Sequence, residues 1–122
     1  MDHDAFLAHW RAFWADPSPE GAGRLAHPDM VMSFPGRPPV IGAEGWRDVL
    51  ADLLGRFPDL RLEPTAYGHN DEGVSFVSWR GTLTVDGEKR TFEGVDRMSF
   101  ADGKIVETFV AFDTAPFLAA LA

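Results

Sequence analysis

The chain predicts an α+β fold in which helices pack on one face of a curved, mainly antiparallel sheet. Two observations carry this. In the first half, apolar side chains recur at helical spacing in two stretches separated by Pro-rich turns. In the second half, apolar and polar residues alternate with period two, and Asp86-Gly87 and Asp102-Gly103 interrupt them as hairpin turns. Helices first and strands later is the ordering of an α+β domain.

The elements follow in order. Phe6, Trp10, Phe13 and Trp14 lie at i, i+4, i+7 and i+8, one face of a helix over residues 4–14. Asp2 or Asp4 caps it, and Asp16-Pro17-Ser18-Pro19 stops it. Ser18-Pro19-Glu20 reads as the cap and first turn of a short second helix ending near Ala26. His27 marks its end, and Pro28-Asp29 turns the chain into a strand over 30–34. A rigid Pro35-Gly36-Arg37-Pro38-Pro39 loop leads to a third helix over 43–57, with Trp46, Val49, Leu50, Leu53, Leu54 and Phe57 as its apolar stripe. Pro58-Asp59 ends it, and four strands over 60–68, 74–85, 89–101 and 104–112 form a meander. The tail over 114–121 reads as a last helical turn capped by Asp113 or Thr114.

At 122 residues the chain is sized for one domain, residues 1–122, with its own core. There is no cysteine, which excludes disulfides, thiolate nucleophiles and cysteine-bound metals. No His/carboxylate set has metal-ligand spacing, and no nucleotide loop or Gly-x-Ser-x-Gly motif occurs. We therefore expect no metal and no cofactor. The net charge of -8 disfavours nucleic acid and anionic membranes as partners. No apolar run reaches membrane-spanning length, and Met1-Asp2-His3-Asp4 lacks a signal peptide's basic start; a cytoplasmic protein is expected. The 10 Phe and 4 Trp beside a single Tyr suit either a ring-filled core or a ring-lined cavity for an apolar ligand.

Strand alternation maps the interior. On 89–101, Phe92, Gly94, Asp96, Met98 and Phe100 share the apolar face. On 74–85, Val77, Trp79, Gly81 and Leu83 do so, and Gly81 is expected to leave open volume beside Trp79. Asp96 is the outlier, a carboxylate within an apolar stripe, where burial raises its pKa. It is either a structural group bonded to a backbone or indole N–H or a working acid/base. His9, near Phe6 and Phe13 on the first helix, is read as looking partly inward or lying at the core's edge. His3 and His69 are expected in solvent.

Three stretches carry a family resemblance. The run from Phe34 to Gly42 resembles the loop between the first strand and third helix of ketosteroid isomerases. Phe57-Pro58-Asp59-Leu60 and the run from Gly94 to Glu107 resemble SnoaL-like polyketide cyclases. Both families belong to the nuclear transport factor 2-like superfamily. The resemblance implies a cone-shaped barrel with a pocket between sheet and helices. It places Asp96 at the oxyanion-hole acid of the isomerases and at the general acid/base of the cyclases. The isomerase's base position falls on Ser33 and its oxyanion tyrosine near Trp10, which argues against steroid isomerisation. It also puts Val106, Thr108, Val110 and Phe112 inside and Ile105, Glu107, Phe109 and Ala111 outside. An epoxide-hydrolase Asp-Arg-Asp set is disfavoured, because Arg80 and Arg97 fall on outward faces.

The resulting expectation is a small hydrophobic ligand bound by Trp10, Trp14, Trp46, Trp79, Ser33, Phe92, Met98, Thr108, Val110 and Phe112, with Asp96 as the catalytic group. A non-catalytic binding module or a dimerisation domain is the alternative. The outer sheet face, with Arg80, Glu93, Val95, Arg97, Ile105, Glu107 and Phe109, is the expected homodimer surface.

Overall fold

In the computed structural model, which describes residues 1–115, the Asp2 side chain accepts a hydrogen bond from the Ala5 N–H and so caps α1 (His3–Ala15). The helix buries Phe6, Leu7, Trp10 and Trp14 and leaves the opposite face in water. Ser18 caps a single 3-10 turn (Pro19–Gly21), which runs into the four-residue helix α2 (Ala22–Leu25). The chain then enters β1 (Ala26–Ser33) at once. This corrects the expected turn at Pro28-Asp29: the strand passes through Pro28, with its irregularity between Ala26 and Val31. His27 consequently lies on the strand, 3.4 Å from the Asp102 carboxylate, and marks no helix end.

A two-residue strand β2 (Val40–Ile41), absent from the sequence reading, pairs with Met32 and Val31 and launches α3 (Gly42–Arg56). Gly42 is required at this junction. Its φ is +76°, and a Cβ would collide with the Pro28 carbonyl oxygen. Four strands follow: β3 (Arg61–His69), β4 (Ser75–Val85), β5 (Glu88–Ala101) and β6 (Lys104–Phe112). Asp86-Gly87 and Asp102-Gly103 all adopt positive φ, the geometry of tight hairpin turns. Asp59, just after α3, accepts hydrogen bonds from both the Thr84 N–H and hydroxyl, which ties the Pro58-Asp59 turn to β4.

The sheet runs β2-β1-β6-β5-β4-β3. The long strands form the expected antiparallel meander, and β1 adds to β6 in parallel. The described sheet is open, with β2 and β3 at its edges, so the cone is not a closed barrel. Edge position accommodates Pro64 in β3, beside an irregularity between Pro64 and Ala66. The helices cover one face, where Trp10, Leu25, Met30, Leu50, Leu83 and Met98 are fully buried. Among the described residues no helix is long and apolar enough to cross a membrane. The helical turn expected over 114–121 falls almost wholly outside the described residues.

Candidate functional site

Asp96 sits in the middle of β5, opposite Val77 on one side and Val110 on the other. Its side chain is 8 % exposed. Each carboxylate oxygen accepts one indole N–H: Trp79 donates to Oδ1 at 3.0 Å and Trp10 donates to Oδ2 at 3.3 Å. Trp79 reaches it from the same inner face, across the β4–β5 ladder. Trp10 reaches it from α1 above the sheet. Burial pushes the Asp96 carboxyl up to about 6, while the hydrogen bonds from Trp79 and then Trp10 hold it lower than burial alone would. The fold therefore favours the protonated form of Asp96 more than water does.

Asp96 opens onto a cavity of about 600 Å³ between sheet and helices. All four tryptophans, Trp10, Trp14, Trp46 and Trp79, line it, with Phe92 and Phe112. The rings pack on one another. Trp14 lies between Trp10 and Trp46, at 6.3 Å from each, and Trp79 meets Phe92 edge-on at 5.3 Å. Thr108 and Val110 complete the sheet wall. A carboxylate is thus set in a wall that is otherwise mostly rings and aliphatic groups. Arg37, Asp52 and Arg56 also line the cavity, and they are exposed, which makes them its charged rim. Arg56 pairs with Asp52 at 3.4 Å.

Two expected wall residues lie elsewhere. Ser33 is absent from the lining; its register partner on β6 is Phe109, an exposed residue of the outer face, and Met32 lines the cavity instead. Alternation held this signal, since Ser33 shares a strand face with Val31 and not with Met30, Met32 and Phe34. Met98 is wholly buried but belongs to the packed core. On β6 the inner residue is Ile105 and not Val106, because the pairing skips between Ser99 and Phe100. This one-residue irregularity inverts the alternation at the strand's start. Gly81 leaves no open volume, since the Phe92 ring occupies the space of its missing Cβ. His9 is exposed and does not line the cavity. His3, expected in solvent, is tied down: its Nδ1 lies 2.6 Å from the Ser75 Oγ and its ring stacks on His69 at 4.1 Å. Partial burial, then His69, lowers its pKa. As expected, Arg80 and Arg97 point outward, Arg80 pairing with Glu93 at 3.2 Å and Arg97 lying over the Phe109 ring. Among the described residues no group of three or more metal-ligating side chains occurs.

The family model for the SnoaL-like domain matches residues 7–108, a span that includes Asp96, both of its indole partners and Thr108. The chain belongs to the SnoaL-like domain family. Solved structures share the fold. IdmH, a proposed polyketide cyclase from Streptomyces antibioticus, is 20% identical, with 99% of each chain covered and a TM-score of 0.80. TerC, crystallised with polyporic acid, is 23% identical, with 93% of this chain and 92% of that chain covered and a TM-score of 0.79. A protein of ketosteroid isomerase-like fold from Catenulispora acidiphila, in complex with trimethylamine, is 13% identical. There 93% of this chain and 89% of that chain are covered, with a TM-score of 0.82. No curated protein sequence matches. At these identities the solved structures speak for the SnoaL-like fold, and the chemistry has to be argued from the site itself.

Proposed function

We propose that this SnoaL-like protein is an acid/base enzyme of cyclase or isomerase type acting on a small hydrophobic carbonyl compound. The two indole N–H bonds are the partners expected of a structural carboxylate; the observation that carries the acid/base reading is that Asp96, buried as it is, also lines an aromatic cavity of about 600 Å³. Such a group removes a proton from a carbon beside a carbonyl. The electron pair moves onto the carbonyl oxygen as an enolate. The enolate carbon then either attacks a second carbonyl of the same molecule or takes the proton back at another carbon. Asp96 returns its proton to the alkoxide or the carbon, so the cycle balances in protons alone. The Trp10 and Trp79 bonds hold both carboxylate oxygens in place during the exchange.

A non-catalytic binding module is the second reading, favoured by Asp96 being the single ionisable group among the described residues that lines the cavity away from its charged rim. A thermal-shift screen of aromatic polyketide, terpenoid and steroid-like compounds, run on wild type and Asp96→Asn, separates them. A bound ligand raises the melting temperature by mass action. The enzyme reading expects hits that weaken or vanish in the variant. Hits of equal size in both proteins favour the binding module. An empty screen counts against a ligand of these classes.

The outer sheet face supports a homodimer. Val31, Phe76, Val95 and Phe109 are each about two-fifths exposed there, and Arg97 covers the Phe109 ring. Light scattering at tens of micromolar is expected to give twice the 13.4 kDa chain mass, and Phe109→Lys to give a monomer that keeps its fold. A monomeric wild type would end this proposal.

A further inference from the structure

Thr108 holds a second polar group in the cavity wall. It lines the cavity from β6, on the inner face it shares with Asp96 on the neighbouring strand. Asp96 pairs with Val110, so Thr108 is its diagonal neighbour, roughly 7 Å away. That spacing suits one substrate contacting both groups at adjacent atoms. Among the described residues, the Thr108 Oγ1 is the one buried side-chain polar atom without a hydrogen-bond partner. A buried hydroxyl without a partner is destabilising, and such atoms are rare in folded proteins. A valine has the same shape and would avoid that loss. The Oγ1 itself is sealed from the cavity's accessible surface, so contact with a ligand requires a change of χ1 rotamer.

We infer that the Thr108 hydroxyl donates a hydrogen bond to the carbonyl oxygen of the substrate, beside the carbon that Asp96 deprotonates. This deepens the reading of Asp96 as acid/base and rests on it. The carbon–hydrogen bond breaks toward the Asp96 carboxylate, and the electron pair flows to the carbonyl oxygen. The hydrogen bond from the Thr108 hydroxyl to that oxygen strengthens as the oxygen's charge grows. Thr108 thereby sets the position of the substrate's carbonyl, and the ring-lined wall suits a cyclic or polycyclic ketone. The group is a donor for oxygen, so the hydrocarbon of the same shape is discriminated against.

The test compares 2-tetralone with tetralin, which lacks the oxygen, on wild type, Thr108→Val and Thr108→Ser. Binding is read from the four tryptophan indole N–H signals in nitrogen–proton NMR spectra. Proton removal is read from deuterium uptake at the ketone's α-carbons. Without ligand, Thr108→Val is expected to melt about 3–6 °C higher, because it removes the unpartnered hydroxyl. It should bind 2-tetralone about 5–10-fold more weakly and tetralin with unchanged affinity. Deuterium uptake should fall at least about tenfold, and Thr108→Ser should restore the ketone preference. A raised melting temperature together with weakened ketone binding is a combination that a purely structural threonine does not produce. Thr108→Val with wild-type ketone preference and uptake overturns the inference. Failure of the underlying reading looks different: wild type binds the ketone in a Thr108-dependent way but catalyses no uptake. If neither compound shifts the indole signals, the cavity does not take such rings and the inference falls with it.

Discussion

Asp96→Asn is expected to lower turnover by about 10²–10⁴-fold, the range for removing a positioned proton-transfer group. In wild type, kcat/KM should rise as pH passes about 6 and level off above, because the carboxylate is the form that accepts the proton. The same carboxylate gives a second, independent signature in stability. Its folded pKa of about 6 lies above the unfolded value of 3.8, so the fold favours the protonated form. The stability that Asp96 contributes is therefore full below about pH 4 and is lost as pH rises through about 6. The loss is on the order of 3 kcal/mol for a fully buried group.

Asparagine carries no charge, so it escapes this dependence. Its amide accepts one indole N–H but turns its NH₂ toward the other, which costs about 1–3 kcal/mol. Wild type should thus be the more stable protein at pH 4, and the gap should close or reverse by pH 7. Urea unfolding of both proteins from pH 4 to 7.5 measures it. A gap that does not move with pH would mean the Asp96 carboxyl is not desolvated. Wild-type turnover in the variant would remove Asp96 from the chemistry.

Gly94→Ala is expected to be the most damaging small substitution in the sheet. Gly94 faces Trp79 across the β4–β5 ladder. A Cβ there would press into the Trp79 ring, 2.7 Å from its Cη2 and nearer still to Cζ2, and would lie 2.8 Å from the Ala111 carbonyl oxygen. The ring has little room to yield, since its indole is bonded to Asp96 and it packs at nearly a right angle on Phe92. The backbone oxygen cannot rotate away. We expect a loss of about 3 kcal/mol, the upper part of the range for overpacked cores, and a shifted Trp79 indole signal. Gly55→Ala is the control. Gly55 lies in α3 with nothing within 4 Å of the added methyl, and the change should stabilise by up to about 1 kcal/mol. If Gly94→Ala melts like wild type, Trp79 does not pack against this strand as described, and the geometry at Asp96 changes with it.

Why Gly94 matters was not legible in the chain. Gly81 and Gly94 both lie on inward faces by alternation. Which ring covers which glycine depends on the rotamers of Trp79 and Phe92, and periodicity carries no rotamer information. The same limit applies at the strand ends. Ile105 and Val106 exchange faces because of one skipped pair, a feature set by how β5 and β6 curve together. Ser33 differs in kind. Its outward position follows from alternation with Met30 and Met32, and only the family alignment suggested otherwise.

Local rules sufficed for much else. The Ser18 cap, the Asp-Gly hairpins, the apolar stripe of α3 and the inward stripes of β4 and β5 each depend on a few neighbouring residues, so the chain by itself determined them; at the first helix it left Asp2 and Asp4 open, and the structure chose Asp2. The chain also singled out Asp96, because a carboxylate in an apolar stripe is anomalous in any register. Tertiary structure alone decided what surrounds that carboxylate. Trp10 and Asp96 are 86 residues apart, and a helix from one end of the chain must cross a strand from the other before an indole meets an oxygen. Tertiary structure also decided that Thr108 has no partner, since hydrogen-bond satisfaction belongs to every atom packed around a group and not to its neighbours in sequence.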